Sequence, residues 1–194
     1  MRNKTSRALI GLAIVGAGLL TACSGDDPLA AQAGNSEGKN YIAGDGSVME
    51  IAENERGEPV EFSGETFEGQ TINADTLDGP TLVNFWYASC APCRVEAPHL
   101  AELSTEFQDE VSFMGVNVRD GAETAAAFER SFDIEYPSIE GKDGQVLLEF
   151  ADYVPPQAVP TTLVLDDQGR VAARILGAVE QSTLKSLLTG VVDE

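Results

Sequence analysis

The residues best equipped for chemistry are Cys90 and Cys93, spaced as Cys90-Ala91-Pro92-Cys93. Two sulfurs at this spacing either close a small disulfide or share a metal ion, and the surrounding sequence decides between these. A zinc site normally needs four ligands, and beyond this pair the chain offers only His99 and distant carboxylates. A purely structural cross-link gains little chain entropy from so short a loop. Reversible thiol-disulfide exchange is the reading with a mechanism, because the motif falls where an apolar strand gives way to a helix. At a helix N-terminus the unpaired N–H groups and the positive end of the macrodipole favour a thiolate. Thiols in such places titrate between roughly 3.5 and 7.5 rather than near about 8.5. Pro92 suits the first helical turn, where its missing N–H would have had no partner. Cys90 is therefore expected to attack, and Cys93, one turn deeper and less exposed, to resolve.

The elements that must hold this pair can be read on either side of it. After Asp78-Gly79-Pro80, the run Thr81 to Tyr87 is nearly continuous in strand-forming apolar residues, the mark of a strand covered on both faces. From Ala91 to about Phe107 the spacing predicts a helix, with Val95, Leu100, Leu103 and Phe107 on its inner face. Pro98 deletes the bond to the Arg94 carbonyl, so a kink is expected there. Val111 to Val118 reads as a second buried strand. Asp120 and Glu123 form an Asp-x-x-Glu capping box for a helix through Phe132, on which Phe128 and Phe132 meet at i, i+4. Leu163 to Leu165 and Val171 to Leu176 read as strands joined by a turn at Asp167-Gln168-Gly169, and Gln181 to Leu188 as a closing helix. Shorter β pieces are expected near 47–52, 59–62 and 70–73, and the stretch from Pro137 to Pro156 is expected to wrap near the rim of the site. The order predicts a mixed sheet with helices on both faces and an N-terminal β extension.

The chain has 194 residues, of which 43% are hydrophobic, enough for one domain with a real core. With 32 acidic residues against 12 Lys and Arg, the net charge is -20, which repels a phosphate backbone and excludes nucleic acid as a partner. The third cysteine, Cys23, belongs elsewhere. Arg2, Lys4 and Arg7 precede an uncharged apolar run from Ala8 to Leu20, the pattern of an export signal. As a helix that run would reach only about 20 Å against a hydrocarbon core of about 30 Å. It ends Leu20-Thr21-Ala22-Cys23, which resembles the bacterial lipobox, so residues 1–22 are expected to be cleaved and Cys23 to carry a lipid. Residues 24–40, rich in Gly, Ser, Asp and Asn, then read as a tether with a reach of about 20 to 25 Å. The folded domain is expected over 41–194, with its core at about 60–192.

Leu82-Val83-Asn84-Phe85-Trp86 running into Cys90-Ala91-Pro92-Cys93-Arg94-Val95-Glu96-Ala97-Pro98, with Val159-Pro160-Thr161-Thr162 and Asp166-x-x-Gly169 far downstream, resembles thioredoxin-fold proteins of the TlpA/ResA type. The resemblance implies a membrane-anchored, extracytoplasmic thiol-disulfide oxidoreductase, usually a reductant, serving cytochrome c maturation. Its implied partners are protein disulfides, apocytochrome c among them, and a membrane thiol-transfer protein as electron donor. The redox-active disulfide itself is the only cofactor implied. Pro160 would be the cis-proline facing the disulfide, with Trp86, Pro92 and Thr161 supporting the site. Glu96 stands where the family places a glutamate linked to thiol protonation; burial would bring its pKa toward working pH, and it could then take the proton of Cys93. Two departures are visible. Asn84 occupies the place of thioredoxin's buried aspartate and cannot titrate, and Ser89 precedes the first cysteine where relatives carry tryptophan, leaving Trp86 and Tyr87 to supply aromatic bulk.

Two other functions fit the same residues less well. A redoxin-type thiol peroxidase would carry Pro-x-x-x-Thr-x-x-Cys, and the residues before Cys90 lack both the Pro and the Thr. A surface metal carrier would pair its cysteines with a downstream histidine, and His99, on the same helix as Cys93, is badly placed for that.

Overall fold

The computed structural model describes residues 40–43 and 46–194. The export signal, Cys23 and nearly all of the tether expected from the sequence lie outside the described residues. Strands β1 (Asn40–Ala43) and β2 (Gly46–Glu50) form a hairpin, followed by the small hairpin β3 (Ser63–Glu65) and β4 (Thr71–Asn73). Next come β5 (Thr81–Trp86), α1 (Ala91–Glu106), β6 (Ser112–Asn117), α2 (Ala122–Ser131), β7 (Ser138–Glu140) and α3 (Gln145–Glu149). The chain closes with β8 (Thr161–Leu165), β9 (Val171–Leu176) and α4 (Gln181–Val192). The main sheet runs β1-β2-β9-β8-β5-β6-β7, parallel along β5, β6 and β7 and antiparallel elsewhere. This is the mixed thioredoxin-like sheet with the expected N-terminal extension.

β5 lies at the centre because every one of its six residues is buried, as the apolar run required. Its side chains alternate between two cores. Leu82 points to the face covered by Leu100 and Leu103 of α1 and Leu184 and Leu188 of α4. Val83 and Phe85 point to the opposite face, against Phe62, Val146 and Phe150. Asn84 and Trp86 share the side of Leu82, so the two unusual residues of the strand face α1 and the redox pair.

Several sequence expectations are corrected. The 59–62 stretch is not a strand: Val60 donates its N–H to the Gly169 carbonyl and the Phe62 carbonyl accepts from Ala74, so this segment bonds to turns and strand pairing starts only at Ser63. Residues 137–156 do not wrap the site rim. β7 extends the sheet beside β6, and α3 carries Val146 into the second core with Phe150, whose ring lies 5.2 Å from both Phe62 and Phe85. Val95, assigned to the inner face of α1, is 59% exposed; the buried stripe is Cys93, Glu96, Ala97, Leu100 and Leu103. An i, i+3, i+4, i+7 row starting at Cys93 leaves Val95 outside and takes a carboxylate in. α4 runs four residues further than Leu188, since Val191 is buried against the first core.

Asp166, part of the quoted downstream motif, serves the pole away from the cysteines. It accepts from the backbone of Gln168 and Arg170 and is paired with the guanidinium of Arg56 at 2.9 Å and of Arg170 at 2.7 Å. These contacts hold its carboxyl below the ordinary carboxylate range despite burial.

Candidate functional site

The end of β5 delivers the chain at Trp86 to a short loop, Tyr87 to Ser89, that turns into α1. Cys90 is the residue capping that helix, and its N–H donates to the Tyr87 carbonyl at 3.1 Å. The Cys90 sulfur accepts the N–H of Cys93 at 3.1 Å, occupying the place where capping side-chain oxygens usually sit. A thiolate there meets an aligned donor and the positive end of the helix. Pro92 lies in the first turn as expected, and α1 continues through Pro98 to Glu106. Cys90 and Cys93 are joined in a disulfide, with sulfurs 2.06 Å apart.

The expected difference in exposure between the two cysteines is absent. Cys90 is 3% and Cys93 2% exposed. Both sulfurs sit in an apolar cluster with Trp86, Ala97 and Phe128, against which Phe67 from the turn between β3 and β4, Tyr87, Ala88 and Val159 pack. The Val159 carbonyl lies 3.8 Å from the Cys90 sulfur, and the Val159–Pro160 peptide is cis, as the resemblance implied. Thr161, fully buried, donates its hydroxyl to the Ala158 carbonyl at 2.6 Å and so ties the loop that carries Pro160. Trp86 stacks on Phe128 with ring centroids 4.4 Å apart, and Phe128 meets Phe132 at 4.7 Å. The indole needs Gly115 beside it. A Cβ there would fall 2.7 Å from its Nε1 and 2.4 Å from the Ser138 hydroxyl, closer than packed atoms approach.

Glu96 is completely buried one turn along α1 from Cys93. Its Oε1 accepts from Asn84 at 2.8 Å, and the same Asn84 amide donates to Thr162 at 3.0 Å. Among the described residues Oε2 has no hydrogen-bond partner. Burial pushes the carboxyl up to about 8, against the Asn84 amide and, more weakly, the dipole of the Val179 N–H. At neutral pH the group therefore carries its proton. Asn84, which cannot titrate, orients the titrating group. His99 is half-buried, its Nδ1 3.4 Å from the Val179 carbonyl, and takes no part in the pair's surroundings.

Sequence reasoning missed one contact altogether. Asp120 does not cap α2, whose first position is preceded by Gly121 without any side-chain cap. Instead its Oδ2 accepts the N–H of Ala88 at 2.6 Å and the amide of Asn117 at 3.0 Å. Local spacing could not reveal a partner 32 positions away. Thr162 stood in the quoted motif, yet nothing in its type announced a bond to Asn84.

What the site can do follows from its parts: a sulfur at a helix start, a second within bonding reach, a proton-carrying acid beneath, and a backbone loop alongside. The model of the AhpC/TSA family matches residues 57–174. The thiol:disulfide interchange protein HelX of Rhodobacter capsulatus is 35% identical over 132 residues, covering 65% of this chain and 71% of that one. The thiol-disulfide oxidoreductase ResA of Bacillus subtilis is 28% identical over 122 residues, or 62% of this chain and 66% of its own. Among solved structures, a secreted thiol-disulfide isomerase from Corynebacterium glutamicum superposes with a TM-score of 0.71 at 29% identity, covering 81% of this chain and 99% of that one. A DsbF homologue from Corynebacterium diphtheriae gives 0.65 at 32% identity, with 78% and 98% covered.

Proposed function

The chain belongs to the AhpC/TSA family and is a thiol-disulfide oxidoreductase, and from that premise we propose that it works as a lipid-anchored reductant of protein disulfides outside the cytoplasm. The observation that carries this reading is the Cys90 sulfur on the Cys93 N–H, paired with Cys93 above the buried acid Glu96. The Cys90 thiolate attacks a substrate disulfide, forming a mixed disulfide and releasing one substrate thiolate. The Cys93 sulfur then attacks Cys90, giving up its proton, expels the second substrate thiol, and the chain is left oxidised by two electrons. A membrane dithiol restores it. The TlpA/ResA resemblance supplies the client class, the haem-attachment cysteines of apocytochrome c.

The acidic surroundings support a reducing direction. A dithiol is a strong oxidant when its reduced form is stabilised, chiefly as thiolate. Here Asp120, which holds the Ala88 N–H two residues before Cys90, opposes negative charge at that sulfur, and the buried Glu96, protonated at neutral pH, offers Cys93 a proton rather than a positive charge. Equilibration with glutathione is expected to place the potential well below about -200 mV; a value near about -120 mV would identify an oxidant and overturn the reading.

The anchor rests on Leu20-Thr21-Ala22-Cys23 after a basic, then apolar, leader. Residues 24–40 would let the acidic domain meet a membrane-embedded donor at raised effective concentration while anionic headgroups repel the domain itself. Cys23→Ser is expected to move the chain from the membrane fraction to the soluble one. An unchanged membrane fraction would remove the lipid from the account.

A further inference from the structure

The loop between β5 and the first cysteine is gripped by charged side chains that the exchange chemistry does not itself require. The Ala88 N–H is held by Asp120 at 2.6 Å, and the Ala88 carbonyl lies 3.4 Å from Nη1 of Arg94 on α1. The Arg119 guanidinium rests over the Tyr87 ring, 3.9 Å from its centroid. Asp120 is itself fixed. Fully buried Asn117, the last residue of β6, donates to its Oδ2 and accepts the N–H groups of Arg119 and Asp120 at 3.0 and 2.8 Å. A continuous chain of bonds thus runs from the central sheet through Asn117 and Asp120 to Ala88. It continues through the Tyr87 carbonyl to the N–H of Cys90.

The geometry points to Asp120 as a positioning residue for the reaction, one that fixes the Tyr87–Ser89 loop and thereby the angle at which the Cys90 sulfur meets the Cys93 N–H. A hydrogen bond to a carboxylate is among the stronger ones available to a backbone amide. This one spans two elements that no strand pairing joins at that point, since β5 ends at Trp86 and β6 at Asn117. A free loop would let Cys90 leave the capping position, and with it the donor that stabilises its thiolate. The carboxylate has a second, opposing effect, because a negative charge close to the sulfur disfavours the thiolate. The other charges at this loop are Arg94 from α1, at the Ala88 carbonyl, and Arg119 from the β6–α2 loop, over the Tyr87 ring, while the buried Glu96 on α1 is protonated at neutral pH. The 158–162 loop contributes none.

The inference rests on Cys90 as the attacking sulfur, and the two ideas separate in one experiment. In the full chain carrying Cys93→Ser, alkylation of Cys90 is followed against pH, with the modified peptide identified by mass, and exchange of the Ala88 amide is measured in parallel. Asp120→Asn keeps an acceptor for Ala88 and removes the charge. It is expected to retain amide protection and to move the Cys90 titration to lower pH. Asp120→Ala removes both, and is expected to lose Ala88 protection at least tenfold, with core amides of β5 and β6 unchanged, and to titrate at higher pH than the Asn variant. If Ala88 exchanges alike in all three chains, or if the Asn and Ala variants titrate together, Asp120 is a charge and not a positioner. An unreactive Cys90 with Asp120 intact would instead sink the assignment of the attacking sulfur.

Discussion

Glu96→Gln is expected to abolish a fall in stability of about 3 kcal/mol that the native chain undergoes between pH 4.5 and pH 7. The sign follows from proton counting. The buried carboxyl titrates at about 8 when folded and at its ordinary value of 4.5 when unfolded. Below that lower value both states carry the proton, and the group contributes its full stability. As the pH rises the unfolded chain gives up its proton while the folded one retains it, so unfolding becomes progressively easier until the folded group ionises as well. Glutamine is isosteric with the protonated acid. Its oxygen can accept from Asn84 as Oε1 does, and it has no charge to release. Urea unfolding of the oxidised chain at several pH values checks this: the difference between variant and native stability should widen from pH 4.5 to 8. A difference that stays flat would mean that Glu96 is ionised in the folded chain.

The same substitution bears on catalysis. When a donor reduces the disulfide, Cys93 leaves as a thiolate in an apolar setting that does not stabilise it. A neutral carboxylic acid one turn away can supply the proton, and the resulting carboxylate can recover it when Cys93 attacks the mixed disulfide. Replacing the acid by glutamine leaves that transfer to water and is expected to slow the Cys93 steps by about a hundredfold, with loss of the pH dependence near 8. Rapid-mixing measurements on the reduced chain would show it.

The parts of the fold that were legible in the sequence are those in which one residue type meets one physical need. The Thr81–Tyr87 run announced a strand buried on both faces, which holds through Trp86 while Tyr87 turns into the loop, and Cys90 with Pro92 marked the start of α1 to the residue. What stayed hidden depended on partners distant in sequence. The inner face of α1 contains Glu96 because Asn84 waits across the interface to receive it; apolar periodicity alone put Val95 there instead. Asp120 and Glu123 had the spacing of a capping box, but a stronger acceptor role toward Ala88 took the aspartate away. β7 and α3 are three and five residues long, too short for any period to show, and are held by the core they complete. The cluster that buries Cys90 is closed by Phe67 and Val159, which arrive from separate segments and carry no mark of that use in their own neighbourhoods.

Cys93→Ser is expected to accumulate substrate as a mixed disulfide on Cys90, whereas Cys90→Ser is expected to accumulate none. Exposure does not distinguish the two sulfurs, since both are nearly inaccessible when joined. The distinction comes from what each sulfur meets. Cys90 accepts the Cys93 N–H at the start of α1 and lies beside the Val159 carbonyl, at the surface end of the pair, where Ser89, Ala91 and Pro92 are exposed. Cys93 lies one turn deeper in α1, in an apolar cluster with Ala97 and one turn before the protonated Glu96, so it is favoured as a thiol over a thiolate. Cys90 is thus expected to be the better nucleophile and the one a protein substrate reaches once Tyr87 and Val159 yield. In the native chain Cys93 stands within bonding reach and is expected to resolve the adduct at once. Well-oriented intramolecular groups act at effective concentrations of about 10⁵ M or more, so its removal should lengthen the life of the adduct by at least about a thousandfold. Non-reducing electrophoresis of native membranes, followed by identification of what is bound, reads the result and names the client. Equal trapping by both variants would show that the sulfurs are interchangeable, and the helix-start argument for Cys90 would fail with it.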